Sequence, residues 1–110
     1  MERKILKWAK IAQDELDCFN DLDATVDYVN KLAEANLLRA EELSDERGVV
    51  AYMFVPDFRG NMLCSELFMY IKPEYRGNIR LLGEVIKIME QAAKENGCKL
   101  LDCKVIDENI

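Results

Sequence analysis

The sequence predicts an α/β fold with a mixed sheet, and three features predict it. Strand-like runs at 62–71 and 99–105 flank an amphipathic segment at 78–96, which is the order of a βαβ crossover. A β-branched and aromatic run, Gly48 to Val55, precedes them and reads as a further strand. Two amphipathic helices occupy the first third of the chain.

The first helix is expected at about 2–19. Ile5, Trp8, Ala9, Ala12, Leu16 and Phe19 recur there at helical spacing, while Lys4, Lys7, Lys10, Asp14 and Asp17 take other positions. Asn20-Asp21-Leu22-Asp23 breaks it, and Asp23 is the expected N-cap of a second helix. In that helix Val26, Val29, Ala33 and Leu37 share a face. Leu37 to Leu43 reads either as a short strand or, through Arg-Ala-Glu-Glu, as a helix end. Ser44 to Arg47 is a polar turn, and Pro56 to Asn61 is a turn cluster between two strands.

In the strand at 62–71, Leu63, Ser65, Leu67, Met69 and Ile71 alternate with Met62, Cys64, Glu66, Phe68 and Tyr70. Both faces are largely apolar, which predicts a central strand covered on both sides, and Glu66 is its one charge. Lys72 to Asn78 forms a loop. The next helix, about Asn78 to Asn96, carries a stripe of Leu81, Leu82, Val85, Ile86, Met89, Ala92 and Ala93. Gly97 supplies the left-handed residue that closes it. The last strand, Lys99 to Val105, is expected parallel to 62–71 through a right-handed crossover.

A chain of 110 residues fits one domain. Its 50% apolar and 33% charged composition suits a soluble globular protein rather than a disordered one. Fifteen basic and 21 acidic residues give a net charge of −6, which opposes binding to nucleic acid. No apolar stretch approaches the roughly 20 residues of a membrane span, and the N-terminus lacks the apolar core of a secretory signal. A cytoplasmic protein with reduced, mostly buried thiols is expected. The four cysteines have no CxxC spacing and the chain has no histidine, which disfavours a zinc site. The lack of histidine also removes the commonest general base.

The segment Ser65-Glu66-Leu67-Phe68-Met69-Tyr70-Ile71-Lys72-Pro73-Glu74-Tyr75-Arg76-Gly77 resembles the signature of the GNAT (Gcn5-related N-acetyltransferase) family. There a central strand runs into a Pro-x-x-Arg-Gly loop that opens a long helix. Ala93 to Leu101 is similar to the family's helix end and following strand, and the wording is closest to family members from bacteriophage genomes. The resemblance implies acetyl-CoA as acyl donor. Backbone N–H groups at a helix N-terminus favour an anion such as its pyrophosphate, and Arg76 and Arg80 would add charge-assisted contacts.

The implied cofactor-binding set is Met69, Tyr70 and Ile71 on the strand, with Arg76, Gly77, Asn78, Ile79, Arg80 and Leu81 at the loop and helix start. Pantetheine would pair with the backbones of Met69 and Ile71, between splayed strands 62–71 and 99–105. The thioester would lie toward Cys64 to Phe68. Glu66 is the implied general base, because a carboxylate in an apolar strand holds a proton more readily, which suits taking one from an amine. The alternative is a glutamate that bonds backbone or an arginine. Tyr70 and Tyr75 read as packing residues with polar tips.

Two departures accompany the resemblance. Counted from Arg76, Ile79 and Leu81 stand where the family loop carries glycines, although Gly77 remains. The family also continues beyond its counterpart of Val105-Ile106-Asp107-Glu108-Asn109, with a helix bearing a tyrosine general acid and two more strands. The chain is therefore expected to be a single C-terminally truncated GNAT-like domain over 1–110, lacking those last strands. Its edge strand would be open to a homodimer. The expected function is acetyl-CoA-dependent transfer of acetyl to an amine of a protein or small molecule. The alternatives are a non-catalytic module that docks on a host or partner protein, and a subunit completed by a partner.

Overall fold

Four strands form one mixed sheet in the order β1-β2-β3-β4. The computed structural model describes residues 2–102, with side chains from Lys4 onward. The elements are α1 (Glu2–Leu16), α2 (Leu22–Glu34), β1 (Leu38–Glu42), β2 (Gly48–Pro56), β3 (Met62–Ile71), α3 (Ile79–Glu95) and β4 (Leu100–Asp102). Short 3-10 turns at Ser44–Glu46 and Pro73–Tyr75 join them. β1, β2 and β3 are antiparallel neighbours, and β4 runs parallel to β3 after the α3 crossover. This is the mixed α/β architecture the sequence predicts. The segment Leu37–Leu43 resolves as a strand, because Leu38 and Ala40 bury one face against α1 and α2. The part of the last strand expected at 103–105, and the segment after it, lie outside the described residues.

The sheet has helices on both faces. Ile5, Val29, Leu38, Ala40 and Ala51 pack together on the α1–α2 side, joined by Trp8, Ala12, Val49 and Tyr70. On the other side Val50, Tyr52, Phe54, Cys64 and Ile71 meet Leu81, Val85, Met89, Ala92 and Ala93 of α3. The stripe read on α3 is the stripe that packs, except that Leu82 and Ile86 are half-buried. Gly97, at φ 67°, closes that helix in the left-handed region. Gly48 lets β2 pass close to β3, since a Cβ there would lie 2.3 Å from the Tyr70 carbonyl oxygen. No helix among the described residues is long and apolar enough to cross a membrane.

Local chemistry corrects three sequence expectations. α1 ends at Leu16 rather than near 19, because Asp17 turns left-handed at φ 48°. Asp21, not Asp23, caps α2, and its side chain accepts from the Ala24 N–H at 3.0 Å. The thiols are not mostly buried: of the three described, Cys18 is exposed, Cys98 is half-buried and only Cys64 is buried.

A fourth correction concerns β3. Tyr52 pairs with Glu66 while Ala51 pairs with Phe68, so Leu67 is an extra residue, a β-bulge. The strict alternation predicted for 62–71 therefore breaks at Leu67. Met62 and Cys64 pack on the α3 side, Leu67 and Phe68 both pack on the α1–α2 side, and Met69 and Ile71 return to the α3 side. The pattern gave no sign of this, because apolar residues on both faces hide a change of parity.

Candidate functional site

Among the described residues β4 pairs with β3 only at Leu63, Cys64 and Ser65. From Glu66 to Ile71 β3 keeps β2 on one side and has no described strand on the other. That edge, unpaired among the described residues, is about 20 Å long at ordinary strand rise. The Ile71 carbonyl faces it, since it accepts from Arg76 Nε at 2.9 Å rather than from β2. Met69, two residues back, presents its backbone in the same direction. The bulge at Leu67 lies at the start of this edge.

The edge leads into a built turn. Lys72 N–H is held by the Arg47 carbonyl at 2.9 Å, and Tyr75 N–H by the Lys72 carbonyl at 2.9 Å. Gly77 then takes φ 85°, which only glycine adopts without strain, and is exposed. Asn78 caps α3, with Oδ1 accepting from Arg80 N–H at 3.0 Å and Leu81 N–H at 3.3 Å. The amides of Gly77 and Ile79 have no protein acceptor among the described residues. The Ile79 side chain is 82% exposed and Arg80 is exposed, whereas Leu81 is buried in the core. Two N–H groups without a described acceptor thus stand at a helix N-terminus, one of them on the left-handed glycine, where helix geometry favours an anion.

Arg76 is already engaged. Its guanidinium donates to Glu15 of α1 through Nη2 at 2.6 Å and Nη1 at 2.9 Å, and its Nε bonds the Ile71 carbonyl. The Tyr70 hydroxyl donates to the same carboxylate at 2.7 Å. The Arg76 guanidinium, and after it the Tyr70 hydroxyl, hold the Glu15 carboxyl below the usual range. Burial, reinforced by the Glu15 carboxylate, pushes Tyr70 up to about 12. Arg76 thus braces α1 against the end of β3, and Arg80 is the arginine of this loop that stands in solvent. Tyr75 packs against the α3-side core, with Arg47 over its ring at 5.3 Å.

Glu66 is 7% exposed and is the one buried charged residue among those described. As the cross-strand partner of Tyr52 it belongs to the α3 side of β3, immediately before the bulge. No described group of three or more His, Cys, Asp or Glu is placed to hold a metal ion.

The other face of the bulge opens on a cavity of about 230 Å³ between the sheet, α1 and α2. Leu67 and Phe68 form part of its floor, and no charged side chain lines it. Sequence reading placed Phe19 only on the apolar face of the first helix and did not single out Glu15 or this cavity. Their partners lie far along the chain, as with Glu15 and Arg76, which are 61 residues apart. The one signal present for Glu15 was its place on the helix beside Leu16.

No family model and no curated protein matches the sequence. Solved acetyltransferases do match in structure. A predicted acetyltransferase from Clostridium acetobutylicum, solved with acetyl-CoA, superposes with a TM-score of 0.71 at 19% identity, over 92% of this chain and 74% of its own. An aminoglycoside acetyltransferase from an uncultured soil metagenomic sample, in complex with sisomicin, gives 0.68 at 14% identity over 96% and 74%. The ribosomal-protein-alanine N-acetyltransferase from Brucella melitensis gives 0.63 at 14% identity over 97% and 79%. At these identities the likeness establishes the fold: the sheet and helices of this chain have the arrangement found in acetyltransferases.

Proposed function

We propose that this protein transfers an acetyl group from acetyl-CoA to an amine. One observation carries the reading: the edge of β3 from Glu66 to Ile71, unpaired among the described residues, runs directly into the turn at Gly77 and the N-terminus of α3. A ligand with an extended amide-bearing arm and a pyrophosphate fits that sequence of groups. The Met69 and Ile71 backbones meet the arm, and the Gly77 and Ile79 amides with Arg80 meet the pyrophosphate. The acetyltransferase neighbours, one of them solved with acetyl-CoA, support the same reading.

In this reading the thioester lies beside the bulge. The unprotonated amine nitrogen attacks the thioester carbonyl carbon, a C–N bond forms, and the C–S bond breaks. The electron pair of that bond leaves on sulfur. The surplus N–H proton passes to Glu66 and ends on the thiolate, so the products are an amide and free CoA. Ile71 serves its role when Arg76 Nε releases the carbonyl. Arg76 itself acts as a brace that fixes the loop, with Arg80 as the mobile cation.

Thermal unfolding with and without acetyl-CoA tests the binding step. A ligand at 100 times its dissociation constant stabilises the fold by about 2.7 kcal/mol. A raised midpoint at millimolar acetyl-CoA is expected, and an unchanged one contradicts the proposal. Glu66→Gln is expected to keep that shift and lose transfer; full activity in it removes Glu66 from the mechanism.

A further inference from the structure

Arg76 Nε holds the backbone carbonyl that the proposed donor has to reach, and a carboxylate on another element keeps it there. At the end of β3 the Lys72 N–H donates to the Arg47 carbonyl. By alternation the Tyr70 backbone bonds β2, and the Met69 and Ile71 backbones face away from it. The outward Ile71 carbonyl accepts from Arg76 Nε at 2.9 Å. A guanidinium is one rigid plane, so its N–H groups cannot be aimed independently. Nη2 and Nη1 lie on the Glu15 carboxylate at 2.6 and 2.9 Å, and that grip fixes where Nε points.

Glu15 is itself held. The Tyr70 hydroxyl donates to it at 2.7 Å across 55 residues of chain, and the guanidinium rests over the Tyr70 ring at 5.4 Å. The contacts close a ring: Tyr70 to Glu15, Glu15 to Arg76, Arg76 to Ile71, which follows Tyr70 on β3. Within that ring the two bonds to the carboxylate are the strong ones, since both partners are charged, whereas the carbonyl is neutral. Glu15 therefore decides where Arg76 sits, and the Ile71 carbonyl is held as a consequence.

An incoming amide N–H has to compete with Arg76 Nε for that carbonyl. When only part of a population is free to bind, the apparent affinity is the intrinsic one reduced by that fraction. Removing the carboxylate should raise the fraction. The bidentate hold is lost, and Nε is left with a single neutral acceptor.

We infer that Glu15 is a positioning residue for the donor: it latches Arg76 onto the Ile71 carbonyl in the free chain and thereby sets how tightly acetyl-CoA binds, a role that rests on the acetyl-transfer reading. α1 thus governs the donor site through Arg76 without contacting the donor.

The test is calorimetric titration of the full chain, Glu15→Gln and Glu74→Gln with acetyl-CoA. Glu15→Gln should bind roughly tenfold more tightly, the gain when a competent state of about 10% becomes the dominant one. A purely structural Glu15 predicts the opposite, a looser loop and weaker binding. Glu74 is exposed on the same turn, and Glu74→Gln removes one negative charge without touching the Arg76 bonds. Its affinity should stay within about twofold of the parent at physiological salt, because exposed charges are screened. Should Glu15→Gln fail to fold, the parent chain still decides: its Arg76 Nε–H resonance should move when acetyl-CoA saturates. Equal or weaker binding in folded Glu15→Gln, equal tightening in Glu74→Gln, or an unmoved Nε–H resonance at saturation overturns the latch. Binding to the parent without tightening in Glu15→Gln refutes the latch alone. Absence of binding to the parent and to both variants refutes the transfer reading and the latch with it.

Discussion

The carboxylate of Glu15 accepts both terminal nitrogens of the Arg76 guanidinium, at 2.6 and 2.9 Å, and so ties the end of α1 to the loop before α3. Planar bidentate pairing is specific to arginine. The side chains are 20% and 29% exposed, so water and salt weaken the pair without abolishing it.

This pair makes the fold acid-sensitive. The folded Glu15 carboxyl titrates below its ordinary 4.5, held down first by Arg76. A depressed carboxylate contributes stability that is fully present above the unfolded value and is lost as pH falls through the folded one. The unfolding midpoint should therefore drop as pH falls from about 4.5, and Glu15→Gln should flatten that step while lowering the midpoint at neutral pH. An unaltered acid profile in the variant would show that the pair contributes nothing.

Tyr70 gives the opposite limb. Burial and Glu15 raise it from 10.0 to about 12. A raised group contributes stability below its unfolded value that is lost as pH climbs through the folded value. Stability should fall between pH 10 and 12, with Tyr70 ionising late in a spectrophotometric titration at 295 nm. Tyr70→Phe should cost about 1.5–3 kcal/mol at neutral pH, the worth of a hydrogen bond to a charged group.

Gly48 is required by distance rather than by backbone angle. Its missing Cβ would sit 2.3 Å from Tyr70 O and 3.0 Å from Ile71 Cα, both backbone atoms that cannot rotate aside. Gly48→Ala should push β2 from β3 and cost about 1–3 kcal/mol, read from denaturant midpoints. Gly83→Ala in α3 meets nothing within 4 Å and should stabilise by about 0.5–1 kcal/mol.

Asn78 competes with an incoming anion for the first amides of α3. Asn78→Ala should cost about 1 kcal/mol as a lost N-cap. Acetyl-CoA should bind it no more weakly than the parent chain, because Arg80 N–H and Leu81 N–H are then released to the pyrophosphate. Calorimetry on both forms checks this, and a tenfold loss of affinity would place Asn78 among the direct contacts.

The strand, loop and helix that build the site were legible because each carries a local signal. Apolar density marked β3 over its full length, Pro73 and Gly77 punctuated the turn, and the stripe from Leu81 to Ala93 marked α3. The bulge at Leu67 was not legible, since parity is silent when both faces are apolar. The resemblance of the loop suggested Arg76 as a phosphate ligand; its bond to Glu15 was not legible, since Glu15 stands on a helix whose docking no local pattern encodes. The α2 cap was misplaced by two residues because Asp21 and Asp23 are equivalent by residue type, and only the backbone decides which one sits at the cap. The cavity arises from the meeting of three elements, so no segment of sequence displays it.

The central claim is that acetyl-CoA lies along the β3 edge from Glu66 to Ile71 and ends on the start of α3. Amide chemical-shift mapping during an acetyl-CoA titration tests it most directly. The account predicts saturable shifts concentrated at Met69 to Ile71 and at Gly77 to Arg80, with little change along the outer strand β1. No shifts at millimolar acetyl-CoA, or shifts confined to residues away from β3 and α3, would contradict it.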